Sequence, residues 1–136
     1  MKKVLLDTNA YVAFKKGNPD AIRILQLAEV IAISSVVLGE LIAGFVNGAK
    51  EAVNRRELAR FFDSSRVILL PVNDETAEFY ARIFHQLKRK GKPIPTNDLW
   101  IAASAMQYGY TIFTFDKHFQ NIENLLSCNK PSDLLP

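Results

Sequence analysis

The sequence predicts an α/β protein in which a mainly parallel sheet of four to five strands lies between two layers of helices. Short apolar runs alternate with longer segments of helical periodicity, an order typical of parallel sheets with helical crossovers. The 136 residues suit a single domain over 1–136, and 49% hydrophobic with 23% charged residues is ordinary globular composition. A single cysteine, Cys128, excludes an intrachain disulfide and a cysteine-rich zinc site.

The first half of the chain contains two predicted strands and three predicted helices. In order, these are a strand over 3–6, a helix beginning after Asn18, a strand over 30–33, and helices over 36–46 and 50–62. Asn18 is a favourable cap, and Pro19 fits the first helical position because proline lacks the N–H that would be unpaired there. Gly48 is expected to end the helix over 36–46.

The second half begins with a strand and continues with the two clearest helices. The elements are a strand over 67–70, helices over 74–90 and 96–108, a strand over 111–115, and a weaker candidate edge strand at Leu125-Leu126. Asn73 is expected to cap the first of these helices and Gly91 to end it. The second helix, capped by Thr96, is apolar nearly all round and is therefore expected to be buried, with Trp100 in the core.

Two carboxylates directly follow predicted strands. Asp7 comes after the first strand and Asp116 after the fourth. Parallel strands end at the same edge of a sheet, and ligands of such sheets bind beyond the carboxyl ends of the strands. Each aspartate alone could also be an ordinary turn or capping residue.

Two further carboxylates lie on apolar helices. Glu40 has only apolar or small neighbours at helical spacing, and an acidic residue in such a stripe is rarely buried without a partner. The alternative is a rotated helix that lets Glu40 reach solvent. Asp98 occupies the first turn of the buried helix, where the helix dipole alone is sufficient to favour a carboxylate. If that helix begins at the same edge of the sheet, Asp98 joins Asp7 and Asp116.

Four carboxylates in one cleft would repel one another unless protons or cations neutralise them. An oxygen-only cluster suits Mg²⁺ or Mn²⁺, and zinc is unfavourable because the only histidines are His85 and His118. Mg²⁺ retains waters and is commonly completed by substrate phosphate. The residues therefore indicate metal-assisted phosphodiester hydrolysis.

Four segments resemble, in order, the acidic motifs of the PIN-domain nucleases. They are Leu5-Leu6-Asp7-Thr8-Asn9, Ser35-Val36-Val37-Leu38-Gly39-Glu40-Leu41, Asn97-Asp98-Leu99-Trp100-Ile101-Ala102-Ala103-Ser104-Ala105, and Thr114-Phe115-Asp116-Lys117-His118-Phe119. The similarity runs to about Leu126 and implies the three-layer αβα PIN-like fold. The small size and the His118-Phe119 ending are most similar to VapC-type toxins of toxin–antitoxin pairs.

This resemblance implies a cytoplasmic, Mg²⁺- or Mn²⁺-dependent endoribonuclease that inhibits translation. It also implies a homodimer and a VapB-like antitoxin whose tail enters the active-site groove. Asp7, Asp98 and Asp116 would hold the metal. Glu40 would complete the cluster or position the attacking water, while Thr114 would orient the site, with Thr8 and Asn9 as weaker candidates for that role.

Basic residues near the acidic motifs are candidates for RNA contacts. These are Lys88, Arg89, Lys90 and Lys92, which precede Asp98, and Lys117, which follows Asp116. The first group could instead complement the dipole at the end of its helix. The net charge of +3 permits a nucleic-acid partner without requiring one. His118 could act as a general acid or simply pack the turn.

Other function classes remain open from the residues alone. A signalling receiver domain requires an acidic pair near the end of the first strand, and a haloacid-dehalogenase-type site requires a second aspartate where Asn9 stands. Both fit poorly. A PIN nuclease of RNA processing and a PIN scaffold that binds RNA or a partner without cutting fit better. No apolar run approaches the ~20 residues of a membrane span, and the first apolar run is too short for a signal peptide.

Overall fold

Five parallel strands form the central sheet, as seen in a computed structural model that describes residues 2–136. The strands are β1 (Lys3–Leu6), β2 (Val30–Ser34), β3 (Val67–Leu70), β4 (Thr111–Phe113) and β5 (Ser127–Cys128). Their order across the sheet is β3-β2-β1-β4-β5. Because β1 lies between β2 and β4, residues that follow these three strands are neighbours at one edge.

Six α-helices and two short 3₁₀ helices connect the strands within the described residues. The α-helices are α1 (Thr8–Lys15), α2 (Pro19–Leu27), α3 (Ser35–Asn47), α4 (Glu51–Phe62), α5 (Asp74–Lys90) and α6 (Thr96–Tyr108), and the 3₁₀ helices span Lys117–Asn121 and Pro131–Leu134. The predicted α/β fold is confirmed. Within residues 2–136, no helix has both the length and the apolarity needed to cross a bilayer.

The core lies between the sheet and the helices that cover it. The predicted burial of α6 is confirmed, since Ile101, Ala102 and Ala103 have no exposed surface. The small side chains of the two alanines let the helix backbone approach a neighbouring layer closely. The Trp100 ring lies 4.3 Å from that of Tyr80, so Trp100 packs α6 against α5.

Several predicted boundaries are wrong. The edge strand is Ser127–Cys128, not Leu125-Leu126, because Leu126 contributes only its carbonyl oxygen to β4 and leaves its side chain 70% exposed. The fourth strand ends at Phe113, since the N–H of Phe115 pairs with the Asn9 side chain instead of a strand. Thr96 is the first residue of α6 and does not cap it; that position belongs to Pro95.

Helix α1 was absent from the sequence prediction, and α3 is less buried than predicted. Helix α1 has only eight residues, and Asp7 caps it. Because Asp7 was interpreted as a site residue, its role as a helix cap was overlooked. In α3, Val37 and Leu41 face the core, whereas Ala43 and Gly44 are exposed. Glu40 therefore lies half-buried at the edge of the apolar face, as in the rotated alternative.

Candidate active site

Asp7 is the most buried carboxylate of the site, with only 4% of its surface exposed to solvent. It ends β1 and caps α1, with Oδ1 accepting from the backbone N–H of Thr8 at 2.8 Å. Its Oδ2 accepts from the Thr114 hydroxyl at 2.7 Å. Burial raises the pKa of Asp7, and the charges of Glu40 and Asp116 raise it further, although the bonds from Thr114 and Thr8 oppose this shift.

Thr114 connects two of the carboxylate positions. Its hydroxyl donates to Asp7 and accepts from the backbone N–H of Asp116 at 3.0 Å. Thr114 follows β4 as Asp7 follows β1, so the pairing of these two strands places them side by side. The side chain is buried, and the same hydroxyl oxygen makes both bonds.

Replacing Thr114 with valine is expected to reduce the catalytic activity of the site by about 10- to 100-fold, the usual effect of losing a group that orients ligands. Valine keeps the branched shape but cannot hold Asp7 and Asp116 in position. Serine at this position retains the hydroxyl and is expected to preserve most of the activity. Kinetics of the two variants beside their melting temperatures measure the effect, and equal losses in both variants would contradict it.

Glu40 is held from two directions. Its Oε1 accepts from the Thr8 hydroxyl at 2.7 Å, and its Oε2 accepts from the Asn97 side-chain amide at 3.3 Å. These bonds connect α3 to the beginnings of α1 and α6. The sequence did not single out Asn97, although its place directly before Asp98 in the same motif was an available signal. Thr8 and Asn9 both have structural roles at this edge, Asn9 through its bond from Phe115.

His118 lies between two carboxylates. Its Nε2 is 2.7 Å from Oδ2 of Asp98, and its Nδ1 is 3.5 Å from Oδ1 of Asp116. One ligand atom from each of the three residues falls within 4.8 Å of the others. The other face of His118 is near the buried ring of Phe119, at 4.9 Å between centroids. The sequence left open whether His118 acts at the cleft or only packs the turn. In the structure, His118 faces the cleft.

Asp98 has a different environment from Asp7. Burial raises its pKa, the charges of Asp7 and Asp116 raise it further, and His118 opposes the shift. Direct contacts connect the four residues. Thr114 bonds to Asp7 and to the backbone of Asp116, His118 lies between Asp98 and Asp116, and Glu40 bonds to the residues next to Asp7 and Asp98. The structure thus brings the four predicted carboxylates to one edge of the sheet.

The donor set is rich in carboxylate oxygen, which hard divalent cations prefer. The predicted oxygen donors have a nitrogen neighbour, because an imidazole nitrogen of His118 lies within 4.8 Å of ligand atoms of Asp98 and Asp116. That addition is compatible with Mn²⁺, which accepts both oxygen and nitrogen ligands. A bound cation would also offset the repulsion among the carboxylates.

The predicted basic residues lie on the surface of the protein. Lys88, Arg89, Lys92 and Lys117 are exposed. Lys90 donates to the backbone oxygen of Asn121 at 2.9 Å and pairs with Glu123 at 3.3 Å, which ties α5 to the end of the first 3₁₀ helix. Contact of these residues with RNA stays a prediction.

Residues 4–125 match the PIN domain, and the chain belongs to that family. Within it, the similar curated proteins are ribonucleases of the VapC group. Ribonuclease VapC5 of Mycobacterium tuberculosis is 30% identical over 128 residues, covering 90% of each chain. Ribonuclease VapC2 of Rickettsia felis is 33% identical over 127 residues, covering 90% of this chain and 93% of that protein.

Solved structures of toxin–antitoxin complexes share the fold. One is VapBC2 from Rickettsia felis bound to a DNA fragment from its promoter, with a TM-score of 0.82, 32% identity, and coverage of 92% of this chain and 96% of that chain. Another is VapBC-1 from nontypeable Haemophilus influenzae, with a TM-score of 0.79, 30% identity, and coverage of 92% and 96%. The expected PIN-like fold and the resemblance to VapC proteins are confirmed.

Proposed function

We propose that this protein is a metal-dependent endoribonuclease and the toxin component of a VapBC-type toxin–antitoxin system. The observation that carries the proposal is the convergence of Asp7, Glu40, Asp98 and Asp116 at one sheet edge. The similarity to VapC ribonucleases over nine-tenths of the chain supports RNA as the substrate. Inhibition of translation is the outcome that we propose for this cleavage.

Mg²⁺ or Mn²⁺ is the proposed cofactor, held by Asp7, Asp98 and Asp116. When bound, such an ion makes a coordinated water more acidic and stabilises charge on the phosphate. Glu40 accepts hydrogen bonds from Thr8 and Asn97, which fix its carboxylate where it can orient a water or accept its proton. Thr114 positions Asp7, and the buried floor of the site keeps these contacts out of solvent.

The charge distribution favours a polyanionic substrate. Of the 14 acidic residues, four belong to the cluster, so ten remain on the rest of the chain against 17 basic ones. A basic surface around an acidic centre attracts a phosphate backbone through release of its counterions. Lys117, adjacent to Asp116 and exposed, is the best placed of the predicted phosphate contacts.

The proposed antitoxin requires a binding surface on this protein, and an apolar groove between α3 and α4 is suited to bind it. It has a volume of about 310 Å³ and is lined by Leu38, Ile42, Leu58 and Phe62, among others. Nearby, Val53 is 43% exposed on α4. Grooves of this type accept the apolar face of an amphipathic helix. We propose a VapB-like antitoxin as the occupant.

The proposed homodimer is measurable by light scattering on purified protein. A dimer is expected at twice the 15.3 kDa of the chain. Exposed aromatic residues on α5, such as Phe84 at 49% exposure, are the surface we expect a second copy to cover. A monomer at micromolar concentration would contradict this part of the proposal.

Incubation of the purified protein with single-stranded RNA tests the nuclease function. Internal cleavage is expected with Mg²⁺ or Mn²⁺, loss of cleavage with excess EDTA, and recovery on adding Mn²⁺ in excess of the chelator. Cleavage unchanged by EDTA would contradict the metal centre. RNA binding without any metal-dependent product would favour the non-cleaving scaffold, and cleavage without an adjacent antitoxin gene would favour RNA processing.

Metal affinity is expected to fall as pH is lowered. The pKa values of Asp7 and Asp98 are raised in the metal-free protein, so protons compete with the cation at a higher pH than for ordinary carboxyls. Binding favours the deprotonated forms and therefore releases protons. Calorimetric titration with Mn²⁺ in buffers of different ionisation enthalpy measures this release, and affinity that is independent of pH down to the ordinary carboxyl range would contradict it.

A further inference from the structure

A polar cavity of about 330 Å³ adjoins the candidate site on the side of β5. Its floor is formed at the ends of β4 and β5, where Thr114 and Cys128 are buried. Its walls come from the two 3₁₀ helices and the segment before the second of them. Asp116 lines both the cavity and the acidic cluster, so whatever occupies the cavity lies directly beside the metal ligands.

Phe115 lines this cavity and is 39% exposed, although it stands between Thr114 and Asp116 in the sequence. Its backbone N–H donates to Asn9 at 3.2 Å, and its ring meets Phe113 edge-on, with 5.4 Å between centroids and 69° between planes. The contact with Phe113 holds the ring on one side, while 39% of the residue stays exposed. An exposed, fixed aromatic ring beside a nuclease centre is suited to stack an unpaired base.

The other walls carry hydrogen-bonding groups without internal partners. Among residues 2–136, the side-chain amides of Gln120 and Asn129 make no hydrogen bond, and Lys117 and Lys130 form no salt bridge. Asp133 instead has a structural role, because its Oδ2 accepts from the backbone N–H groups of Asn129 and Lys130 at 3.0 and 3.2 Å. The cavity that Phe115 lines is therefore also lined by two amides able to read a base edge and two ammonium groups able to neutralise a phosphate.

We propose that this cavity binds one unpaired nucleotide of the RNA, next to the phosphate that is cut. The base stacks on Phe115, its edge meets Gln120 and Asn129, and Lys117 with Lys130 neutralises the adjoining phosphate. The volume is at the small end of ligand sites and fits a single splayed nucleotide, not a duplex. The subsite rests on the proposed ribonuclease function and makes this cavity a determinant of which RNA sequence is cut.

Binding of a short fluorescent single-stranded RNA tests the stacking contact. The measurement uses Asp7→Asn protein, so that the RNA is not cut. Adding Phe115→Ala is expected to weaken binding by about 5- to 150-fold, the range that loss of one base–aromatic stack produces. Phe115→Tyr and Phe115→Trp keep an aromatic face and are expected to bind nearly as well as phenylalanine, whereas Phe115→Leu keeps only the apolar volume and binds weakly. Ile68→Ala removes a side chain of similar exposure, 38%, from β3 at the opposite edge of the sheet from β5, and it serves as the matched control.

The sequences at the cut sites test the role of the amides. In otherwise unaltered protein, Gln120→Ala and Asn129→Ala are expected to relax the base preference at one position beside the cut in a randomised RNA pool. An unchanged preference, or equal binding by the Phe115→Leu and Phe115→Tyr proteins, would overturn the subsite. If unaltered protein cuts RNA with Mn²⁺ in these experiments, only the subsite fails; if it neither binds nor cuts RNA, the ribonuclease function itself fails.

Discussion

Replacing Asp98 with asparagine is expected to lower RNA cleavage by on the order of 100-fold or more, above the loss typical of residues that only orient a ligand. The carboxylate of Asp98 lies 2.7 Å from His118, and ligand atoms of Asp98, His118 and Asp116 all lie within 4.8 Å of one another. Asparagine has nearly the same shape but no charge, so it cannot hold a divalent cation with comparable strength. The helix itself is expected to remain folded, because Leu99 and the apolar residues after it supply the packing of α6.

Asp74→Asn is the matched control for this variant. Asp74 also occupies the first turn of a helix, α5, where it complements the helix dipole, but it is exposed and lies outside the acidic cluster. It is expected to have full activity. Comparable losses in the two variants would show that Asp98 acts through the helix dipole, and full activity in Asp98→Asn would remove it from the metal centre.

Replacing Asp7 with asparagine is expected to abolish cleavage while leaving the metal-free protein at least as stable as the unaltered one. Burial and neighbouring carboxylates raise the pKa of Asp7 above that of an ordinary aspartate. The folded state therefore binds the proton more tightly than the unfolded chain, and stability falls as pH rises from the unfolded pKa through the raised folded pKa. This cost is present at pH values above the raised folded pKa, and asparagine removes it.

Melting temperatures of the Asp7→Asn and unaltered proteins in EDTA, measured at neutral pH, test this expected difference in stability. Below the pH range in which ordinary carboxyls titrate, the difference between the two melting temperatures should become smaller. Mn²⁺ is expected to raise the melting temperature of the unaltered protein, since a ligand of the folded state stabilises it by mass action. The increase should be smaller for Asp7→Asn. A metal-free variant clearly less stable at neutral pH than the unaltered protein would contradict the account of Asp7 as a buried, unneutralised charge.

The positions of the carboxylates could be predicted from the sequence because they depend on a simple rule. Asp7 follows β1, and Asp116 lies shortly after β4; parallel pairing of these strands places their ends together. Asp98 required one further assumption, that the buried helix begins at the same edge. Glu40 was found by its apolar surroundings, although the structure places it at the edge of the apolar face.

The partners of these residues could not be predicted, because they depend on distances between segments far apart in the chain. Asn97 donates to Glu40, which is 57 residues away in the sequence. The sequence around Asn97 does not distinguish it from an ordinary polar residue at the start of a helix. The exposure of Phe115 was hidden for a similar reason. Its apolar neighbours extended the predicted strand over it, whereas its N–H is withdrawn from the sheet by Asn9. The sequence did not show whether His118 faces the cleft or the turn, because its direction depends on the 3₁₀ helix over Lys117–Asn121.

X-ray anomalous scattering from crystals soaked in Mn²⁺ tests the metal centre most directly. We expect a peak bounded by the carboxylates of Asp7, Asp98 and Asp116, with oxygen ligands at roughly 2.1 Å, a distance near that of the similarly hard Mg²⁺. The peak should be absent or much weaker in Asp98→Asn crystals soaked under the same conditions. A cluster without anomalous signal, at Mn²⁺ concentrations that support RNA cleavage in solution, would contradict the assignment of these carboxylates as the metal site.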